Sequence, residues 1–274
     1  MFDLNFQANL IVLIDRGRPQ LKPDHSSLAN TAEFRPTRWS VVLLSAQSKA
    51  PGSQNALAAL CGLYWYPLYA FVRRRGYTPE DAQDLTQGFF LHLLDYKALA
   101  QVDPLKGKFR SFLLASIQNY LSKEADRARC RKRGGKTEFV PLEAENAEDR
   151  YWLEPTDYVT AEKLFDARWA LTLLDEAMSL LCAEYAKQGK MATLETLKPL
   201  LHPINTEELP SYEQVADQLK VSVAAVKMLI HRLRKRYTTL LRAEVARTVS
   251  DPEEVDEEIH ALCDALIASE GRLA

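Results

Sequence analysis

SYEQVADQLKVSVAAVKMLIHRLRKRYTTLLR, residues Ser211–Arg242, reads as a short capped helix, a three-residue corner and a longer helix with two opposite faces. Ser211 stands where a helix N-cap belongs, and Gln214 three residues later completes the capping-box pattern. Val215, Ala216 and Leu219 then recur at the spacing that buries one stripe. Lys220, Val221 and Ser222 form the corner, with Ser222 as the cap of the second helix. Along that helix Val226, Ile230, Leu233, Tyr237 and Leu240 step by four, three, four and three residues on one side. The opposite side carries Lys227, Met228, His231, Arg232 and Lys235, and no acid occurs between Asp217 and Glu244. A short helix, a tight corner and a basic second helix form the arrangement that sets a helix into the DNA major groove. The bland alternative is a solvated basic helix at the end of a bundle.

Working outward, the predicted fold class is all-α, because no alternating strand run of any length occurs. Trp39, Val42, Leu43 and Ala46 fit a short helix, and Ala56–Arg75 a longer one that Pro67 is expected to kink or interrupt. Gly76 ends it. Thr78 caps the next helix with Pro79 at its first position, and DAQDLTQGFFLHLL follows. A loop around Asp103, Pro104 and Gly107 leads to a helix over Lys108–Arg133 that begins aromatic and ends basic. Its apolar stripe is Phe109, Phe112, Leu113, Ile117, Tyr120 and Leu121. Its other positions supply Lys108, Arg110, Gln118, Asn119, Ser122, Lys123 and Arg127, followed by Arg129, Arg131, Lys132, Arg133 and Lys136. Long cations reach phosphates, and short amides and hydroxyls address base edges in an opened strand.

The predicted organisation is a loose leader over 1–37, a helical domain over 38–135, an acidic linker over 136–164, a second helical domain over 165–249 and an acidic tail over 250–274. Gly134 and Gly135 close the first domain, and Glu138, Glu143, Glu145, Glu148, Asp149, Glu154 and Asp157 make the linker acidic. Periodicity resumes at Phe165, and Pro199, Pro203 and Pro210 break the segment before Ser211. In the tail, Val255, Ile259, Leu262 and Leu266 share one face opposite many acids. That helix either caps the core or docks on the basic helix.

Composition sets the outer limits. The formal net charge of −2 hides a segregation of basic residues into two blocks with acids between and after them. Such segregation points to a polyanion met at two places. Cys61, Cys130, Cys182 and Cys263 lie far apart and form no ligand pattern with the histidines, so a reduced, cytoplasmic protein without metal or cofactor is expected. The apolar run Leu10–Ile14 is too short for a membrane span and lacks the flanks of a signal peptide.

Three stretches carry a family resemblance. Asp81–Leu94 resembles the core-binding helix of bacterial RNA polymerase sigma factors, sigma-70-like, of the extracytoplasmic-function type. FRSFLLASIQNYLSKEADRARCRKR resembles that family's promoter-melting and minus-ten-reading helix, and Ser211–Arg236 its minus-thirty-five-reading helix-turn-helix. Order and separation also agree over about Trp39 to Arg242. The resemblance implies a region 2-like bundle and a region 4-like helix-turn-helix joined by the acidic linker. Asp81, Asp84, Leu85, Gln87 and Phe90 would meet the clamp helices of the polymerase's largest subunit, with the flap as the second docking point. Lys108, Arg110, Gln118, Asn119, Ser122, Lys123 and Arg127 would take the minus-ten strand, Asn119 holding a flipped base. Ser222, Lys227, Met228, His231, Arg232, Arg234, Lys235 and Arg236 would take the minus-thirty-five element, the last three on phosphates.

Implied is a specificity subunit with no chemistry of its own, directing promoter recognition, strand opening and transcription initiation, with an anti-sigma protein as a further class of partner and no membrane insertion. Gly88 departs from the family, which has an acid there, and the segment from Tyr185 to Glu208 is longer and richer in proline. The rival reading is a helix-turn-helix transcriptional regulator with an N-terminal helical sensing domain, which leaves DAQDLTQGFF as coincidence. An enzyme using Asp81 and Asp84, or the KRGGK turn, on phosphates is the third, and KRGGK lacks the spacing of a phosphate loop.

Overall fold

The computed structural model describes residues 51–94, 108–130, 147–152, 160–201, 209–249 and 251–268, and among these it is helical throughout with no strand. The leader, the Trp39–Ala46 helix, the Asp103–Gly107 loop, the basic end from Arg131 to Lys136 and most of the linker lie outside the described residues.

Helix α1, Pro51–Arg74, continues through Pro67 without a break, against expectation. Proline deprives the helix of one amide bond. Around it Tyr64, Trp65, Leu68, Tyr69, Phe71 and Val72 are all buried, and that burial outweighs the lost bond. Gly76 then turns the chain at φ 92°, a region that favours glycine. Helix α2, Pro79–Leu94, starts as the sequence implies: the Asp81 amide donates to Thr78 Oγ1 at 3.1 Å and Pro79 opens the helix. Helix α3 is Phe109–Cys130.

Within the expected linker, Ala147–Trp152 forms helix α4, which packs on α1. Arg73 clamps the Glu148 carboxylate with Nε at 2.9 Å and Nη2 at 2.6 Å, while Tyr69 donates to the same carboxylate at 2.5 Å. The Arg73 hydrogen bonds hold the Glu148 pKa below its usual value, against the opposing effect of burial.

Helix α5, Ala161–Lys187, begins one turn before the first large apolar residue, because Thr160 caps it by accepting from the Lys163 amide. It is the central element, packing against α1 on one side and against α8, Val223–Ala246, and α9, Val255–Ala268, on others. Trp169 of α5 stacks on Tyr64 of α1 with ring centroids 4.0 Å apart and meets Phe109 of α3 at 6.0 Å. Further along α5, Leu173, Leu174, Ala177 and Leu181 are buried, and Tyr237 of α8 donates its hydroxyl to the Leu174 carbonyl at 3.2 Å. Residues of both sequence-predicted halves thus share one buried apolar cluster. The proline-rich segment contains helix α6, Met191–Leu201, whose Leu194, Leu197, Leu200 and Leu201 are buried against its neighbours.

Candidate nucleic-acid interface

Helix α7, Tyr212–Leu219, carries the full capping box: Gln214 N donates to Ser211 Oγ at 3.2 Å, and Ser211 N donates to Gln214 Oε1 at 2.8 Å. Such a cap is worth about 1 kcal/mol. At the corner Lys220 adopts φ 54°, and the Val221 amide closes onto the Ala216 carbonyl at 3.0 Å. This is the left-handed helix ending usually given to glycine. Ser222 Oγ then accepts from the Ala225 amide at 3.2 Å and starts α8. Caps and corner fix the crossing of the two helices with hydrogen bonds that are all local.

Buried Val226, Ile230, Leu233, Tyr237 and Leu240 anchor α8 in the core. Lys227, Met228, His231, Arg232 and Lys235 are exposed on its outer side, Met228 at 58 %. Arg232 and Lys235 have no ion pair among the described residues, and the Lys227 ammonium sits 5.7 Å from the ring centroid of Tyr212. Sequence spacing does not single out Tyr212. Its exposure at the first turn of α7 makes it, with Val221 and Met228, part of an apolar fringe beside the cations. An exposed face of cations, an imidazole and apolar groups suits phosphates, base edges and thymine methyls together.

Two of the expected phosphate contacts are engaged elsewhere. Arg234 Nη2 donates to the Leu200 carbonyl at 2.7 Å, tying α8 to the end of α6. Arg236 pairs with Glu184 of α5, Nε to Oε2 at 2.8 Å. That hydrogen bond, against the opposing effect of burial, holds Glu184 below its usual pKa.

The helices that resemble the first block lie side by side, α2 packing on both α1 and α3. Asp81 and Asp84 are exposed on α2, Leu85 and Gln87 are half-buried, and Phe90 is 5 % exposed beside fully buried Phe89. Gly88 has a structural reason: a Cβ there would lie 2.4 Å from the Tyr120 hydroxyl oxygen of α3. The glycine lets the two helices approach.

Along α3, Asn119, Ser122, Lys123 and Arg127 are exposed, Arg127 pairing with Glu124. The other three expected contacts meet acids. Gln118 donates to Glu162 at 3.2 Å, Lys108 lies 3.0 Å from Glu258, and Arg110 binds both Glu258, at 2.5 Å, and Asp166. Burial works against the charge on Lys108 and Arg110, but the hydrogen bonds from Glu258 and the surrounding carboxylates outweigh it and raise both pKa values. Asp166 is pushed above its usual range by burial in spite of Arg110.

The described residues contain no group of three or more His, Cys, Asp or Glu placed to hold a metal, and no helix among them is long and apolar enough to cross a membrane. Comparison of the chain with protein-family models, curated proteins and solved structures finds no match.

Proposed function

We propose that the chain is a promoter-specificity subunit of bacterial RNA polymerase, a sigma factor of the extracytoplasmic-function kind, acting in the cytoplasm without chemistry of its own. The observation that carries the reading is the α7–α8 unit: a doubly capped helix-turn-helix whose buried stripe is anchored in the core and whose outer side presents Lys227, Met228, His231, Arg232 and Lys235. That geometry suits a duplex major groove. The α2–α3 pair supplies the rest. Asp84, exposed on α2, suits a basic helical surface on the polymerase, and Asn119 with Ser122 and Lys123 on α3 suits an opened strand.

In this mechanism α8 holds the upstream element while α3 captures the melted strand, and polymerase supplies catalysis and its metal. Each Lys or Arg that neutralises a phosphate releases a counterion, so affinity falls with salt at a slope of about −0.9 per contact. Gel filtration with core polymerase tests the assignment. Co-elution that Asp84→Ala weakens is the expected result. A chain that stays apart from polymerase yet binds a duplex site unaided would instead be a free-standing helix-turn-helix regulator.

A further inference from the structure

Helix α9 bears three consecutive acids in its first turn, Asp256, Glu257 and Glu258. Its apolar side, with Val255, Ile259, Leu262 and Leu266 buried, packs on α5 and α8. The fit is incomplete, leaving an apolar cavity of about 20 Å³ between Leu173, Leu241 and Leu262 and their neighbours. The acids do not reach the outer face of the helix-turn-helix. Asp256 pairs with Arg242 at 2.6 Å near the far end of α8, and Glu257 and Glu258 point at the start of α3.

There the Glu258 carboxylate is wholly buried, one oxygen 2.5 Å from Arg110 Nε and the other 3.0 Å from Lys108 Nζ and 3.3 Å from Arg110 Nη2. Glu257 lies 3.4 Å from Lys108. The Phe109 amide, at the start of α3, donates to the Thr248 carbonyl just before α9, at 2.9 Å. Two cations and a helix start converge on one carboxylate held by both oxygens. A phosphate is recognised in the same way, by paired charge-assisted donors. Acids of α5 continue the pattern, Asp166 on Arg110 and Glu162 on Gln118.

We propose that α9 is an internal competitor of nucleic acid: Glu258, assisted by Glu257, occupies the phosphate-binding position formed by Lys108 and Arg110, so that docking of α9 and strand binding at the start of α3 exclude each other. The inference rests on the reading of Lys108 and Arg110 as strand-contacting cations. It makes the described form the closed one. Binding a strand there requires the first turn of α9 to leave.

Amide hydrogen exchange of the intact wild-type chain, with and without single-stranded oligodeoxythymidine, tests this without any substitution. The expected result is faster exchange in α9 when the oligonucleotide is bound. In parallel, Glu258→Gln keeps the shape and removes the competing charge, and it is expected to bind the same oligonucleotide about tenfold more tightly, the worth of roughly one charge-assisted contact set free. The double variant Lys108→Ala/Arg110→Ala should erase that gain. Binding that depends on Lys108 and Arg110 but leaves α9 exchange and the Glu258→Gln affinity unchanged overturns the competitor while sparing the strand-binding reading. Oligonucleotide binding that ignores Lys108 and Arg110 in every variant overturns both.

Discussion

Gly88→Ala in α2 is expected to destabilise the protein, although the same change in an exposed helix stabilises by about 1 kcal/mol through helix propensity. The new Cβ would stand 2.4 Å from the Tyr120 hydroxyl oxygen and 3.5 Å from its Cζ, so only the oxygen is too close. Tyr120 has little room to retreat, because its ring stacks on His92 at 5.5 Å and meets the edge of Phe89 at 5.9 Å. Overpacking of this kind costs about 1–3 kcal/mol, which leaves a net loss of up to about 2 kcal/mol after the propensity gain. Tyr120→Phe removes the offending oxygen and keeps the ring. Burial, with Glu124 nearby, pushes the Tyr120 pKa up to about 12, so the phenol is neutral at ordinary pH and its removal deletes no charge. In the Tyr120→Phe background Gly88→Ala should therefore turn stabilising by about 1 kcal/mol, a coupling of about 1–3 kcal/mol across the double-mutant cycle. Urea unfolding followed by far-ultraviolet circular dichroism reads all four proteins. Stabilisation by Gly88→Ala in both backgrounds would refute the close approach of α2 and α3.

Lys227→Ala/Arg232→Ala should reduce the salt slope of duplex binding by about 2 and change stability by no more than about 0.5 kcal/mol, since both side chains are exposed; an unchanged slope in a fluorescence-anisotropy titration would remove this face from the interface. Trp169→Ala should cost about 3–5 kcal/mol and unfold α1 and α8 together, because Trp169 lies in the cluster that joins them. Separate transitions in site-resolved hydrogen exchange would contradict that joint core. Glu148 has a lowered pKa in the folded chain, so its contribution is fully present above the ordinary glutamate range and is lost as pH falls through the folded value. Glu148→Gln should accordingly flatten the acid limb of a urea-midpoint profile against pH, and a limb as steep as the wild type's would assign the acid sensitivity elsewhere.

The helix-turn-helix was legible because its determinants are local. Ser211, Gln214 and Ser222 bond within three residues of themselves, and the buried step from Val226 to Leu240 is pure periodicity. The start of α5 at Ala161 was signalled by Thr160, but counting from the first large apolar residue, Phe165, hides it. Prolines misdirect in both directions. Pro67 and Pro199 read as breakers, yet both lie inside helices whose neighbouring apolar residues are buried. The partners of Lys108, Arg110 and Arg234 were beyond reach, since Glu258, Asp166 and Leu200 are brought to them by packing and not by spacing. Cations that read as a free basic block are thereby engaged inside the protein. Gly88 shows the same limit, its cause being a tyrosine on the next helix.

Reconstitution of the chain with core polymerase, followed by run-off transcription on fragments of genomic DNA, tests the central claim most directly. Discrete transcripts that require the chain and disappear with Lys227→Ala/Arg232→Ala are the predicted result. Transcription by core polymerase that the chain leaves unchanged on every fragment would contradict it.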